Sequence, residues 1–466
     1  MEKFAVKSFC VKYSWTLVLL AILIPNIFLS YSMELSFDES YYWIYSKFLD
    51  FGYYDHPPMV GLSIYLGTLL FGDTEIGVRI FSNLYLFGTI ALIWDMVKHN
   101  KQELIFWVLI ASMPLITLNG LIALPDAPLM FFTTLFFWYL KKYIAEDHNK
   151  FILPISMVIG MMFYSKYHGL LIVLLTVCGY PQFLKRKTFW LIVLGVVLIF
   201  MPHMWWQYQN DFVSFKFHLF GRAEKHFSIA NILDYIGGQI VLMGFLNFFL
   251  FLYIFYKNKF KDPFERVMIF NSLGFLLFLF LMSFRNQIEA NWTISCSIAL
   301  IILMFPYIEK YKKVFLWSSS ISLFLFFALK LALFNLPVIM DNMEKENRFN
   351  EIIGWKNNRI NSITNICKDK VIVGDNYQVT SKLAFYLSNP SIPALHLGSR
   401  ESQYSLLKLQ NQIKEDTEIC YLTSKPLKGT FKIKTNYKDA VYIIESTTLG
   451  KLSEFYGMTY EEIIRN

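Results

Sequence analysis

Charged side chains are scarce in this sequence. Asp, Glu, Lys and Arg make up 17% of the 466 residues, whereas hydrophobic residues make up 55% and aromatic residues 18%. Because a soluble domain carries about 25% charged residues, this composition excludes an ordinary soluble protein. The formal net charge of +8 does not indicate nucleic-acid binding, since Lys and Arg concentrate in short loops between apolar runs, as in membrane proteins.

Cysteine is also rare, with five residues in the chain. Their separations match no zinc or iron–sulfur pattern, which excludes a cysteine-based metal cluster of the usual kind. Cys10, Cys178 and Cys296 fall in or near apolar runs, where a thiol behaves as a small apolar side chain. Cys367 and Cys420 lie in the polar C-terminal segment, and whether they form a disulfide stays open because the sequence does not give their separation in space.

Long apolar runs recur through the first three quarters of the chain. Since a helix needs about 17–25 residues to cross a bilayer, these runs predict an α-helical polytopic membrane protein with about eleven spans. The predicted spans cover residues 13–31, 78–97, 102–120, 128–145, 151–165, 167–184, 188–206, 234–256, 264–284, 292–309 and 314–336. No small-residue cleavage site follows Ser30, so the first run is interpreted as an uncleaved span. Segment 58–71 is apolar but short, and we interpret it as an interfacial or re-entrant helix.

The distribution of basic residues predicts the orientation of the spans. Residues 141–150, 185–187, 257–266 and 310–313 lie in Lys/Arg-rich loops on one side, whereas the opposite loops hold far fewer Lys and Arg residues. The basic side should face the cytoplasm. An odd number of spans then places the chain after residue 336 outside.

The tail has a different pattern from the rest of the chain. Short β-like runs at 370–375, 418–423 and 440–446 and a helical stretch at 378–388 predict a small α/β domain. We therefore expect a transmembrane domain over residues 1–336, in which the outer loop 32–77 is catalytic, and a second domain over residues 337–466.

With this topology, unusual polar and aromatic residues collect on the outer face. They are Asp38, Glu39, Asp55, His56, Asp126, Lys166, Tyr167, Trp205, Arg285, Glu289, Asn291 and Trp292. Any one of them alone could be a solvated flank, an interfacial aromatic or, for Asp126, a helix cap. Acids and bases that meet on one face instead favour group transfer from an anionic lipid carrier, in which cations bind phosphate and a carboxylate acts as general base.

Six motifs, in order, carry a family resemblance: "DESYYWIYSKFLDFGYYDHPP", "GDTEIGVRIF", "LPDAPLMFF", "YSKYHGLLIVLL", "PHMWWQYQNDFVSFKF" and "EANW". The set, which spans about residues 36–292, resembles bacterial glycosyltransferase family 39. These proteins are relatives of the dolichyl-phosphate-mannose protein mannosyltransferases and of the lipid A aminoarabinose transferase. The resemblance implies a GT-C fold in the bacterial inner membrane, with a periplasmic catalytic loop and C-terminal domain. It also implies inversion at the anomeric carbon and a polyprenyl-phosphate-linked sugar as donor.

The resemblance also implies roles for single residues. Asp38 and Glu39 match the family's catalytic acidic pair, with Asp38 as the base. The candidates for binding the donor phosphate are His56, Arg79, Lys166 and Arg285. The candidates for binding substrate are Asp55, Asp126, Tyr167, Trp205, Glu289, Asn291 and Trp292. A relative carries lysine at the position of His56, so the charge of this histidine at neutral pH stays open.

The favoured hypothesis is a glycosyltransferase that acts on lipid A or lipopolysaccharide core. The alternatives are a protein O-glycosyltransferase and a transporter of lipid-linked sugar, which should instead place polar residues at the bilayer midplane. Expected partners are the polyprenyl-phosphate sugar, a lipid or glycan acceptor and membrane lipids, without nucleic acid. No cofactor is assigned. Glu39, Asp55 and His56 are of types that bind divalent metals, but no spacing supports a metal site, and metal dependence, sugar and oligomeric state stay open.

Overall fold

The chain folds into two compact units. The computed structural model describes residues 22–97, 102–221, 227–334, 352–356, 360–368, 370–395, 400–413, 419–423, 429–434, 439–448 and 456–464. Unit 1 comprises the chain before residue 32, residues 56–60 and residues 79–335; unit 2 comprises residues 32–55 and 61–78 and the chain after residue 335. Most of the first outer loop therefore belongs to the same unit as the tail. The functional division predicted at residue 336 stays a prediction.

Helices account for most of the described residues before the tail. They are α1 (Ile22–Ser32), α2 (Phe37–Lys47), α3 (Met59–Phe71), α4 (Glu75–Val97), α5 (Glu103–Ala111), α6 (Pro114–Leu118), α7 (Asp126–Ala145), α8 (Ile152–Ser165), α9 (His168–Gly179), α10 (Lys187–Gln209), α11 (Val213–Lys216), α12 (Ile229–Leu242), α13 (Leu246–Lys257), α14 (Pro263–Ile269), α15 (Phe275–Ser283), α16 (Ile294–Ile308) and α17 (Lys312–Phe334). Helix α2 lies in unit 2, and helices α5 to α17 lie in unit 1.

Helix α16 forms the centre of unit 1. Thirteen of its 15 residues are buried, which follows from a sequence that is apolar or small on every side. Helix α10 shows the opposite pattern, since Leu194, Val197 and Leu198 are exposed on it. An apolar face of this kind suits a helix at the lipid boundary.

Small residues allow α8 and α10 to pack closely. A Cβ atom added at Gly195 of α10 would lie 2.5 Å from the Ser156 hydroxyl oxygen of α8. The same hydroxyl donates to the backbone carbonyl of Ile192 over 3.1 Å. Close approach through small side chains is the usual way in which membrane helices associate.

Helices α12 and α13 are joined by a 90° bend. Gly244 at the bend has φ +88 and Phe245 has φ +49. A positive φ costs glycine little free energy, because glycine has no Cβ atom. The Asn247 amide donates to the Ser112 and Ser319 hydroxyls over 3.1 and 3.0 Å, and Ser322 donates to the carbonyl of Gly244 over 2.7 Å. These contacts satisfy polar groups that a broken membrane helix would otherwise leave buried without partners.

The predicted count of eleven spans is not confirmed. In the described chain, four helical segments are long and apolar enough to cross a membrane, namely Glu75–Val97, Lys187–Gln209, Pro263–Ser283 and Ala290–Leu333, and the bent α12–α13 pair would make a fifth. Helices α8 and α9 have 14 and 12 residues. At 1.5 Å per residue, α8 is about 21 Å long, which is short of the roughly 30 Å hydrocarbon layer. The predicted short apolar helix at 58–71 is present as α3.

The tail portion of unit 2 has α/β architecture, as the sequence pattern predicts. Its helices are α18 (Ile360–Ile366), α19 (Tyr377–Tyr386) and α20 (Gln403–Leu407), and its strands are β1 (Val371–Gly374), β2 (Ile419–Thr423), β3 (Gly429–Lys434), β4 (Asp439–Thr448) and β5 (Tyr456–Ile464). The strand order is β1-β2-β5-β4-β3. Strands β1 and β2 are parallel, with Val371 opposite Ile419, and the other pairs are antiparallel.

Two links hold unit 2 together. Cys367 after α18 and Cys420 in β2 form a disulfide with a Cα–Cα distance of 5.4 Å, which closes the question that the sequence left open. Helix α2 of the first loop packs against helix α19 of the tail, where the Trp43 ring meets Phe385 edge-on at 5.2 Å. The acidic loop and the tail are therefore parts of one folded unit.

Candidate functional site: two polar clusters and a capped acidic helix

The acidic pair lies in the first turn of α2, and the helix start distinguishes its two members. Ser36 is the N-cap; its backbone N–H donates to the Glu39 carboxylate over 2.9 Å, and the Glu39 N–H donates back to the Ser36 hydroxyl over 3.2 Å. Glu39 is fully buried in this capping box, whereas Asp38 is exposed. Of the predicted catalytic pair, Asp38 is the exposed carboxylate, and Glu39 satisfies backbone groups of the helix.

Asp55, a predicted substrate ligand, lies at the centre of a cluster in unit 2. Its Oδ1 accepts from the Tyr41 hydroxyl over 2.9 Å, and its Oδ2 accepts from Nη2 of Arg400 over 2.8 Å. The Tyr41 hydroxyl in turn accepts from the backbone N–H of Gln403 over 2.7 Å. Burial, together with the charge of Asp55, raises the pKa of Tyr41, so Tyr41 stays a hydrogen-bond donor. We call Asp55, Tyr41, Arg400, Gln403 and Tyr377 the Asp55 cluster.

Three members of this cluster come from the tail and were not predicted from the sequence. Arg400 precedes α20, Gln403 begins α20, and Tyr377 begins α19. The Arg400 guanidinium carbon lies 4.6 Å from the centre of the Tyr377 ring. Tyr377 directly precedes the helical stretch predicted at 378–388, whereas nothing in the sequence marks Arg400 among the other Lys and Arg residues of the tail.

A second cluster lies in unit 1 and joins three of the predicted motifs. Nζ of Lys166 donates to both carboxylate oxygens of Asp126, over 2.8 and 3.0 Å, and the Asn291 amide donates to the same carboxylate over 2.9 Å. The Trp292 ring centre lies 5.4 Å from Nζ of Lys166. Asp126 and Lys166 are 2% and 5% exposed. This Asp126 cluster is an ion pair inside protein, and Asp126 is not the N-cap of α7, since Pro125 holds that position.

A third group of polar side chains surrounds Tyr167 in unit 1. Its hydroxyl lies 3.1 Å from Nε2 of His203 and accepts from the Gln207 amide over 2.8 Å. The ring of His218 lies 5.3 Å from that of Tyr167 and 6.0 Å from that of His56. His203, Gln207 and His218 were not predicted, although the first two lie within the "PHMWWQYQ" motif and have the four-residue spacing of one helix face.

The remaining predicted residues lie outside these clusters. Arg79 is 1% exposed and donates to the backbone carbonyl of Ser30 over 3.1 Å. Trp205, Arg285 and Glu289 are exposed. Within the described part of the chain, no three His, Cys, Asp or Glu side chains lie close enough to hold a metal ion.

Sequence comparisons agree with the predicted resemblance. Residues 55–206 match the family model described as dolichyl-phosphate-mannose-protein mannosyltransferase; the matched segment contains His56, Arg79, Asp126 and Lys166. The chain is also 23% identical over 282 residues to the lipid A galacturonosyltransferase RgtD of Rhizobium johnstonii. That alignment covers 57% of this chain and 59% of RgtD, so the chain matches less than two thirds of that relative.

Structural comparison identifies the fold. Two crystal structures of ArnT from Cupriavidus metallidurans, one in the apo state and one bound to undecaprenyl phosphate, each superpose with a TM-score of 0.62 at 12% sequence identity. Each superposition covers 92% of this chain and 98% of ArnT. The predicted GT-C fold is thus confirmed. The family resemblance predicted from the motifs is confirmed over residues 55–206, which match the model of the dolichyl-phosphate-mannose-protein mannosyltransferase family.

Proposed function

We propose that this protein is an inverting membrane glycosyltransferase that moves a sugar from a polyprenyl-phosphate carrier to lipid A or lipopolysaccharide core. The family match over residues 55–206 carries the proposal, because it covers most of the predicted phosphate-binding positions. The fold shared with ArnT, which has been crystallised with undecaprenyl phosphate, supports a donor of that class.

The structure separates the phosphate-binding candidates by accessibility. His56 is partly exposed and Arg285 is exposed, so both can meet an incoming anion. Lys166 is held by Asp126 and Arg79 is buried. We infer that His56 and Arg285 contact the donor phosphate, and that Lys166 and Arg79 contribute through their charge.

The proposed reaction uses Asp38 as the general base. Asp38 takes the proton of an acceptor hydroxyl while the hydroxyl oxygen attacks the anomeric carbon. The bond from that carbon to the phosphate oxygen breaks, and the polyprenyl phosphate leaves with the electron pair. Attack opposite the leaving group inverts the configuration. The exposure of Asp38 at the start of α2, where the capping box fixes the backbone, supports this assignment.

The disulfide supports a periplasmic position for unit 2. Disulfides persist in oxidising compartments, and the bacterial periplasm is one of them. Because Cys367 and Cys420 lie in the same unit as the acidic loop, the compartment proposed for the tail is also proposed for Asp38. The predicted orientation from basic loops leads to the same side.

Lipid A is the proposed acceptor because RgtD is named a lipid A galacturonosyltransferase. A protein hydroxyl is the second candidate, and the family description, which names a protein mannosyltransferase, supports it. The two candidates share donor chemistry and differ only in the acceptor.

Mass spectrometry of lipid A and core from cells with and without this gene tests the proposal. We expect the deletion to remove one glycosyl mass and a plasmid copy to restore it. An unchanged lipid profile together with a lost sugar on envelope proteins would favour the second acceptor. No change in either fraction would overturn the proposed transfer.

A further inference from the structure

The cluster around Asp55 combines the acidic loop with a basic residue from the tail. Arg400 is the partner of Asp55, with 2.8 Å between Nη2 and Oδ2, and the Asp55 side chain is 7% exposed. The Arg400 side chain is 41% exposed, but the buried carboxylate still requires such a partner, because a buried charge without a counter-charge is unfavourable. The pair therefore ties the end of the acidic loop to a tail residue 345 positions away in sequence.

Asp55 is bound by protein groups on both oxygens. Tyr41 donates to Oδ1 and Arg400 to Oδ2, and Gln403 holds the Tyr41 hydroxyl from the other side. A carboxylate that binds sugar directly needs an oxygen directed at the sugar. The arrangement instead suits an anchor that fixes the loop.

The same guanidinium also covers Tyr377. Its central carbon lies 4.6 Å from the ring centre, within the range of a cation–π contact. Burial raises the pKa of Tyr377 to about 12, and the charge of Asp38 is the next largest cause. Tyr377 is therefore a neutral hydroxyl in the electrostatic field of Asp38. Arg400 is in contact with Asp55 on one side and with Tyr377 on the other. The Tyr377 ring centre lies 4.5 Å from that of Tyr41 in α2, the helix that carries Asp38.

We propose that Arg400 is a positioning residue: by holding Asp55 and Tyr377 together, it fixes the acidic loop so that Asp38 meets the acceptor in one orientation. The inference rests on the proposed function, in which Asp38 is the base. It also gives the tail a part in the reaction, through the position of Asp38. A planar guanidinium can pair with a carboxylate and stack on a ring at once, which an ammonium group cannot reproduce fully.

The test uses deletion cells that carry the full-length protein with R400Q, R400K, D55N or the D55N/R400Q double substitution. The probe is the glycosyl mass that the deletion removes. The rate at which this mass returns after induction is measured and divided by the amount of folded protein in the membrane. We expect R400Q to slow its return about 10–100-fold, the scale of a misplaced catalytic group. R400K should recover part of this rate, because the charge is kept.

The double substitution separates anchoring from sugar binding. If Asp55 and Arg400 act as one pair, D55N/R400Q should be no slower than the worse single variant, since coupled residues are not additive. Independent, multiplying losses would mean that the two residues act separately, and would overturn the inference.

The matched control is K47Q. Lys47 pairs with Asp73 at 2.6 Å in the same loop, but the Asp73 side chain is 38% exposed, whereas that of Asp55 is 7% exposed, and pairs with an exposed carboxylate contribute little to stability. R400Q with a rate equal to that of K47Q would refute the role of Arg400. A wild-type protein that restores no glycosyl mass would instead overturn the proposed function. Should R400Q fail to accumulate, R400K carries the test, and wild-type speed in R400K would contradict the requirement for a guanidinium.

Discussion

The carboxylates of the two units differ in what surrounds them. In unit 1, Asp126 is 2% exposed, and Lys166 and Asn291 donate hydrogen bonds to its carboxylate oxygens. In unit 2, Asp38 is exposed at the start of a helix, while its neighbour Glu39 is fully buried in a capping box. In unit 1 the charge of Asp126 is neutralised inside protein, whereas in unit 2 the charge of Asp38 lies at the surface.

This difference in burial indicates which carboxylate stabilises the fold and which one could take part in the reaction. A buried, paired carboxylate has no oxygen to offer without breaking contacts that stabilise the fold. An exposed carboxylate on a fixed backbone can accept a proton at little cost to stability. We therefore expect substitutions of Asp126 and Lys166 to act mainly on folding, and substitutions of Asp38 to act mainly on rate.

Asp38→Asn should have the largest effect on activity. The amide keeps the shape of the side chain but cannot take a proton, so the transfer rate should fall about 10²–10⁴-fold. Because Asp38 is exposed, the amount of protein and its melting temperature should stay at wild-type values. The measurement is the rate of glycosyl return in deletion cells, with a melting curve in detergent as control; a fully active variant would remove Asp38 from the role of base.

Lys166→Met should act mainly on the stability of the protein. The substitution leaves Asp126 buried without its cation, and we expect a loss of about 3–5 kcal/mol in stability. The melting temperature of the purified protein and its yield from membranes measure this loss.

The double variant D126N/K166M sharpens the test of Lys166. Removing both charges should restore much of the melting temperature. If transfer also returns, Lys166 is structural; a stable but inactive double variant would support an electrostatic role of Lys166 towards the donor phosphate.

Cys420→Ser should weaken unit 2 by a smaller amount. The disulfide joins residues 53 positions apart, and loss of such a cross-link typically costs about 2–4 kcal/mol. Protease cleavage within the tail should become faster, whereas cleavage in unit 1 should not change. Cys178→Ser, at an exposed free thiol, is the matched control. Equal cleavage in the C420S and C178S proteins would mean that the disulfide does not support the fold of unit 2.

The helices were predictable where residue type alone determines them. Strongly apolar stretches such as 188–206 and 264–284 correspond to long helices in the structure. Hydropathy could not separate α8 and α9, which are too short to span alone, from full spans, because both kinds of helix are equally apolar. It could not place the α12–α13 bend either, since that depends on Gly244 and on hydroxyl groups from distant helices.

Some residues of the candidate site were also predictable from the sequence, and others were not. The ordered motifs predicted that Asp126, Lys166 and Asn291 share a side of the membrane, and the structure brings these three into contact. Arg400 was not predictable, because its partner lies 345 residues away and one arginine among many basic tail residues carries no local signal. Glu39 is a different case. Ser36 and Glu39 form a Ser-x-x-Glu pattern ahead of an aromatic run, which is a known helix-start signal that was available in the sequence.

Glu39→Gln should therefore have the smallest effect, although Glu39 belongs to the predicted catalytic pair. Glutamine also serves at the third position of a capping box, so only the charge near the helix start is lost, worth about 0.3–1 kcal/mol. We expect a rate within about threefold of wild type. Ser36→Ala, which breaks the box from its other side at a cost of about 0.5–2 kcal/mol, is the comparison. If E39Q abolishes transfer while S36A does not, Glu39 takes part in the chemistry, and the contrast between an exposed base and a buried cap no longer holds.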